Sequence, residues 1–141
     1  MRAIGASERA LELMISRGNS REAFGKPIIA LEGNRTHVAD ARLAIDQARL
    51  LTLFAAWKID TVGAKEAMTE ISAIKVVAPN VLQETVDRAI QIHGGQGVSH
   101  ETPLTDLFIM ARALRLADGP DEVHRAVIAK QELSRHARRS V

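Results

Sequence analysis

The sequence predicts an all-α protein, an antiparallel up-and-down four-helix bundle with one extra short helix, and three observations lead there. Apolar residues recur at three- and four-residue steps over two long windows, 34–62 and 65–93, and no alternating strand pattern occurs anywhere. Those windows are separated by a one- or two-residue turn at Gly63, so the helices must fold back on each other. Hydrophobic residues make up 46% of the chain, yet it has three Phe, one Trp and no Tyr. The core must therefore be built from Ala, Leu, Ile and Val, a mix that suits helices packed closely through small side chains. At 141 residues, one core and one domain spanning 1–141 are expected.

The first helix, Met1 to about Arg17, carries Ile4, Leu11 and Ile15 on one flank with Ala10, Leu13 and Met14 beside them, and Gly18-Asn19-Ser20 is expected to end it. Its periodicity begins at once with no cap before it, which suggests a longer helix that has been cut. Residues 21–33 contain Gly25, Pro27 and Gly33 and read as a connection, after which Asn34 can cap the second helix, running to about Val62. Its stripe is Val38, Ala41, Ile45, Ala48, Ala55, Ile59 and Val62, with Thr52 filling one place, and Leu43, Leu50 and Trp57 widen the apolar face.

The third helix, about Lys65 to His93, repeats the pattern through Ala67, Ile71, Ile74, Ala78, Val81, Val86, Ala89 and Ile90, with Pro79 expected to kink it. Gly94-Gly95-Gln96-Gly97 is a stop. Glu101 to about Arg115 forms the extra short helix, with Pro103 near its start. Asp118-Gly119-Pro120-Asp121-Glu122 then resembles a helix start, leading into Val123 to about His136.

Nineteen Lys and Arg face seventeen Asp and Glu, interleaved until the last residues, so no broad polyanion-binding surface is implied. The terminal cluster Arg135, His136, Arg138 and Arg139 complements the negative end of a final helix and has no interleaved aromatic for base stacking, so no nucleic-acid partner is expected. Without cysteine the chain has no disulfide, thiolate metal site or Cys nucleophile. Charges interrupt every apolar run well short of the roughly 20 residues of a membrane span. Of metal-ligand spacings only His37-x-x-Asp40 and Asp121-x-x-His124 occur, without the paired Glu-x-x-His turns of a di-iron bundle, and no metal is expected.

Three segments could carry chemistry. Arg21-x-x-Phe24-Gly25-Lys26-Pro27 sets a guanidinium, a flat ring and a tight turn close together, suited to a phosphate beside a stacked base, and equally an ordinary loop. Gln91-Ile92-His93-Gly94-Gly95-Gln96-Gly97 could present backbone N–H groups to an anion, although spacing alone favours a helix C-cap. Asp118 is either an N-cap or a carboxylate base at the rim of the bundle.

In this order and at these intervals, Arg-x-x-Phe-Gly-Lys-Pro, Gln-Ile-His-Gly-Gly-x-Gly and Asp118-Gly119 before the last helix resemble the C-terminal helical domain of flavin-dependent acyl-CoA dehydrogenases. The resemblance covers essentially the whole chain, and Leu116 to His124 is similar to the subgroup that uses Asp where most members use Glu. It implies that Asp118 removes the pro-R α-proton of an acyl-CoA thioester while the β-hydrogen leaves as hydride to FAD, forming a trans-2-enoyl-CoA. It further implies that Arg21, Phe24, Gln91, Gly94 and Gly95 contact the adenosine diphosphate half of an FAD held chiefly by a neighbouring subunit. The implied partners are the acyl-CoA substrate, a second copy of the chain in a homodimer or dimer of dimers, and an electron-transfer partner of the full-length enzyme. The implied setting is the cytoplasm, or the mitochondrial matrix in a eukaryote.

Such a base needs burial and neutral surroundings, and Leu116, Ala117 and Gly119 supply no competing charge. Three positions depart from the family pattern. Asp118 is one methylene shorter than Glu, Pro120 replaces a Thr that meets the flavin, and Ala117 replaces an aromatic that covers the substrate, which would admit a bulkier acyl chain. The family's N-terminal helical and middle β-domains are absent from these residues, so the chain alone is expected to be inactive. The rival expectation is a non-catalytic helical binding or assembly module that retains the bundle.

Overall fold

The computed structural model describes residues 1–31 and 33–139. Among them are five α-helices: α1 (Arg2–Ser20), α2 (Asn34–Val62), α3 (Met68–His93), α4 (Leu104–Leu114) and α5 (Asp121–Arg139). Between α1 and α2 lies a minimal antiparallel ladder of β1 (Glu22–Ala23) and β2 (Lys26–Pro27), then a 3-10 turn over Ile28–Ala30. The all-α fold expected from the sequence is therefore observed, with this ladder added to the 21–33 connection.

Helix α3 is the hub and packs against α1, α2, α4 and α5. One continuous core results from Ile4, Leu11 and Met14 of α1, Ala41, Ile45 and Ala48 of α2, Leu82, Val86, Ala89 and Ile92 of α3, and Leu104 and Ala111 of α4. Burying each large aliphatic side chain contributes about 1.5–3 kcal/mol. The short α4 thus closes the core, whereas α5 lies along α3 and buries only Asp121.

Several boundaries shift for identifiable reasons. α1 runs past Gly18 because that glycine is buried beneath Ile29, whose side chain occupies the space a Cβ would need. Asn34 is the first residue of α2 rather than its cap, since Gly33 takes the preceding position at φ 90°, and the Asn34 amide instead donates to the Ile28 carbonyl at 2.6 Å. After Gly63 the chain makes a turn through residues 64–67 before α3 begins at Met68, so the connection is longer than one or two residues. The helix is assigned without interruption through the buried Pro79.

The expected wide apolar face of α2 splits in two. Ala41, Ile45, Ala48 and Ala55 are buried, because small residues let α3 approach closely, while Leu43, Leu50 and Trp57 are 57–67% exposed. Leu53 and Phe54 join them, and the Phe54 and Trp57 rings stack with centroids 5.7 Å apart.

Across α1 and α2, Glu8 accepts from both nitrogens of the Arg42 fork at 2.8 and 2.5 Å and from Arg49, while Asp46 accepts from the same two arginines. The Arg42 hydrogen bonds hold the Glu8 carboxyl well below its ordinary range, at about 2, against the opposing effect of desolvation. A depressed folded-state value means stability that is fully present above the unfolded value of 4.5 and is lost as pH falls toward 2. The shift converts to roughly 3 kcal/mol. With Glu8 28% and the arginines 34–42% exposed, screening reduces this to about 1–2 kcal/mol. Glu8→Gln is expected to lower stability by that amount at pH 7 and to remove the same amount of acid sensitivity between pH 5 and 2. Denaturant midpoints across that range check it, and a pH slope unchanged by the substitution would contradict it.

Candidate functional site

The junction of α4 and α5 holds Asp118. After α4 the chain turns through residues 115–118, with the N–H groups of Leu116 and Ala117 both donating to the Ala113 carbonyl. Asp118 then adopts φ 56°, a left-handed conformation uncommon outside glycine, Asn and Asp, and Gly119 follows at φ 101°. Two side chains from outside the turn hold consecutive carbonyls of this backbone. His124 Nε2 lies 3.1 Å from the Asp118 carbonyl, which can only accept, so Nε2 carries the proton. Lys75 Nζ, from α3, donates to the Gly119 carbonyl at 2.5 Å.

Beneath the turn, Asp121 is 2% exposed. It accepts from Arg115 Nε at 2.8 Å and Asn80 Nδ2 at 3.1 Å, and Arg115 Nη1 donates to Gln83 at 3.0 Å. Burial opposes its charge, but the hydrogen bonds from Asn80 and Arg115, with the nearby guanidiniums of Arg115 and Arg125, outweigh that and hold the carboxyl below its ordinary range.

Two expectations for Asp118 need correction. It is not the N-cap of α5, which begins at Asp121 after Pro120; the Asp118 carboxylate is exposed and has no hydrogen bond among the described residues. Its surroundings are not neutral either, because Lys75 reaches the loop from α3. The residues described here do not bury it.

Arg21 and Phe24 sit on the β1–β2 hairpin, which packs on α1. Arg21 is exposed and its guanidinium has no polar partner among the described residues, and Phe24 is 92% exposed at φ 54°, held there by the tight turn with Gly25. Gln91, Gly94 and Gly95 lie together, all exposed, at the end of α3. No polar contact joins the hairpin to this segment.

The glycines of the run differ in what they do. Gly94 caps α3 at φ 65°. Gly97 is buried in the following 3-10 turn (Gly94–Val98), where a Cβ would come within 2.7 Å of the Ile90 carbonyl oxygen and 2.9 Å of its Cα. Gly95 has neither a positive φ nor any atom within 4 Å of a Cβ, so the fold leaves its side-chain absence unused.

A groove of about 560 Å³ lies between α2, α3 and α4 and is lined by His37, Asp40, Asn80, Glu84, Phe108 and Arg115 among others. It reaches the Asp118 loop only through Asn80 and Arg115. No cluster of three or more His, Asp or Glu suited to a metal ion occurs among the described residues, and no helix among them is long and apolar enough to cross a membrane. Of the two spacings discounted as metal ligands, Asp121 is engaged by Arg115 and Asn80, and His124 by the Asp118 carbonyl.

Sequence reasoning missed Lys75, Asn80 and Arg115. Lys75 bonds Gly119 across 44 residues, and Asn80 and Arg115 bond Asp121 across 41 and 6, and nothing in helical periodicity distinguishes a lysine that reaches a distant carbonyl from one that faces water.

The all-α fold and the order of these segments are those that the resemblance to a flavoenzyme helical domain implies, and comparison with known proteins specifies the family. Residues 1–133 match the family described as acyl-CoA dehydrogenase, C-terminal domain, and the chain belongs to that family. It is 51% identical over 138 residues to acyl-CoA dehydrogenase family member 11 of Rattus norvegicus, covering 98% of this chain and 18% of that protein. Among solved structures, a candidate acyl-CoA dehydrogenase from Mycobacterium abscessus is 57% identical with a TM-score of 0.95, covering 96% of this chain and 33% of that one. Butyryl-CoA dehydrogenase from Megasphaera elsdenii is 30% identical with a TM-score of 0.85, covering 93% and 34%. The chain thus spans between about a fifth and a third of the length of these relatives. The family is one of FAD-dependent oxidoreductases.

Proposed function

We propose that this chain is the C-terminal domain, residues 1–141, of an FAD-dependent acyl-CoA dehydrogenase, and that Asp118 is its catalytic base. The observation that carries this is the Asp118 turn itself. A carboxylate free of hydrogen bonds stands exposed on a left-handed backbone that side chains from α3 and α5 hold in place. A base must offer an unengaged lone pair from a fixed position. Asp118 accepts the pro-R α-proton of the acyl-CoA thioester, and its carboxylate becomes a carboxylic acid. FAD, when bound, supplies the acceptor for the β-hydrogen as a hydride, so that the product is a trans-2-enoyl-CoA. The desolvation this base needs falls to the substrate and to the remainder of the longer protein, and the chain alone is inactive.

The residues at the other two segments fit the adenosine diphosphate half of FAD. Arg21 offers a guanidinium without a partner among the described residues, Phe24 a bare ring face, Gln91 an exposed amide, and Gly94 and Gly95 an open backbone. FAD would be held chiefly by a neighbouring copy of the chain in a dimer or dimer of dimers, and an apolar surface that such an assembly could bury is present in Leu43, Leu50, Leu53, Phe54 and Trp57 of α2. A separate electron-transfer partner of the full-length enzyme would take up the electrons that bound FAD accepts. The reaction takes place in the cytoplasm, or in the mitochondrial matrix if the source is a eukaryote.

The glycines separate a ligand role from a structural one. Gly95→Ala is expected to leave stability within about 0.5 kcal/mol of wild type and to weaken FAD retention in the full-length protein. Gly97→Ala forces a Cβ against backbone and is expected to cost about 1–3 kcal/mol. Thermal melts with flavin absorbance of the purified protein check both. A Gly95→Ala protein that keeps FAD as tightly as wild type would remove Gly95 from the cofactor site.

The function is tested on the full-length protein by its visible spectrum and by anaerobic addition of acyl-CoA thioesters of several lengths. A flavin band that bleaches identifies the half-reaction and ranks the substrates. A protein that stays colourless with added FAD sinks the enzymatic reading in favour of a helical assembly module, for which the exposed α2 surface is the supporting feature.

A further inference from the structure

We infer that Lys75 and His124 are positioning residues for Asp118, fixing the backbone from which its carboxylate projects; this rests on Asp118 acting as the base. An aspartate has a short arm, so where its carboxylate arrives is decided mainly by where its Cα is held. That Cα sits at φ 56°, and a non-glycine residue in the left-handed region lies roughly 1–2 kcal/mol above its relaxed conformation. An unrestrained turn would leave it.

On the upstream side the backbone is tied by the Leu116 and Ala117 N–H groups to the Ala113 carbonyl. On the downstream side the two peptide units that follow the Asp118 Cα each have their carbonyl taken by a side chain rooted in a helix. His124 of the first turn of α5 donates to the Asp118 carbonyl, and Lys75 of α3 donates to the Gly119 carbonyl. Two further details favour positioning over incidental contact. Lys75, a cation within reach of the loop, bonds the Gly119 carbonyl rather than the Asp118 carboxylate, and so holds the turn without capping the base. His124 Nδ1 is buried with no partner among the described residues, so the imidazole's one hydrogen bond among them is spent on this carbonyl.

The test uses the full-length, FAD-loaded protein and anaerobic stopped-flow bleaching of its flavin by acyl-CoA. Lys75→Met and His124→Leu remove the donors at similar size, and each is expected to slow flavin reduction by about 10–100-fold, the range that a misplacement near 1 Å produces. The concentration dependence for acyl-CoA, the flavin content and the melting temperature should stay near wild type. Lys75→Arg and His124→Gln, which restore an N–H donor, are expected to recover the rate to within about 3-fold. The isotope effect from deuterium at the α-carbon should rise in the slow variants, because proton removal becomes more rate-limiting.

Wild-type bleaching rates in both donor-less variants would overturn the inference. So would a loss that tracks flavin content or melting temperature, or one that the conservative variants fail to rescue. If Lys75→Met does not fold, the His124→Leu and His124→Gln pair decides. Asp118→Asn separates the two levels. If it is inactive while both donor-less variants are fast, the positioning role fails and the base stands. If it bleaches normally, the base assignment fails and takes the positioning role with it.

Discussion

In the full-length, FAD-loaded protein, Asp118→Asn is expected to lower the rate of enoyl-CoA formation by about 10²–10⁴-fold, the range associated with a positioned general base. The substitution preserves shape and removes only the proton-accepting charge. Because the Asp118 carboxylate is exposed and makes no hydrogen bond within the described structure, its loss should change stability by less than about 0.5 kcal/mol. The flavin spectrum should also be unchanged, since Asp118 is separate from the Arg21 hairpin and the Gln91–Gly95 segment. Activity, folding and cofactor binding are therefore expected to part company at this residue. Single-turnover bleaching, melting temperature and the visible spectrum of the same preparation measure all three. Retained bleaching would move the base to another residue.

How much of this was legible in advance depended on the range of the interactions. The long helices announced themselves because burial against α3 repeats every three or four residues, and the glycine at position 63 has no need of distant context to end α2. Asp118, Arg21, Phe24, Gln91, Gly94 and Gly95 were visible as short motifs because each cluster is contiguous in sequence. What periodicity could not show was which apolar residues of α2 are buried. Leu43, Leu50 and Trp57 lie one helical step from the alanine stripe, and only the close approach of α3 decides that the alanines face inward. The ties that hold the Asp118 turn were equally invisible, since Lys75 and Asn80 come from a helix more than 40 residues away. Asp121 read as an ordinary first-turn acid, and its burial is a tertiary fact. The 94–97 run reads from spacing as a helix stop, and the structure divides its glycines between a left-handed cap, a close packing contact and one position with no structural use.

Asp121→Ala is expected to be the more damaging change to the fold, by about 2–4 kcal/mol. Removing one partner of a buried ion pair costs roughly 3–5 kcal/mol because the other charge is stranded. Here Arg115 keeps 27% of its side chain in water, which lessens that cost. Asn80 loses an acceptor at the same time, although its amide still reaches the Val76 carbonyl. The effect should depend on pH in a defined sense. Asp121 is held below its ordinary value of 3.8, so its contribution is present above that value and declines as the carboxyl protonates at lower pH, and the wild type and Asp121→Ala should converge in acid. A double-mutant cycle with Arg115→Met isolates the pair. If the stranded guanidinium is the main cost, the double variant should be less destabilised than the sum of the singles by at least about 1 kcal/mol. Strict additivity in urea unfolding would mean that the damage comes from the cavity or from Asn80. The consequence reaches function through the chain itself: Asp121 is three residues from Asp118 and holds Arg115 at the start of the turn, so its loss removes one of the ties around the left-handed backbone. A folded Asp121→Ala protein should therefore reduce its flavin more slowly than its residual stability alone would suggest.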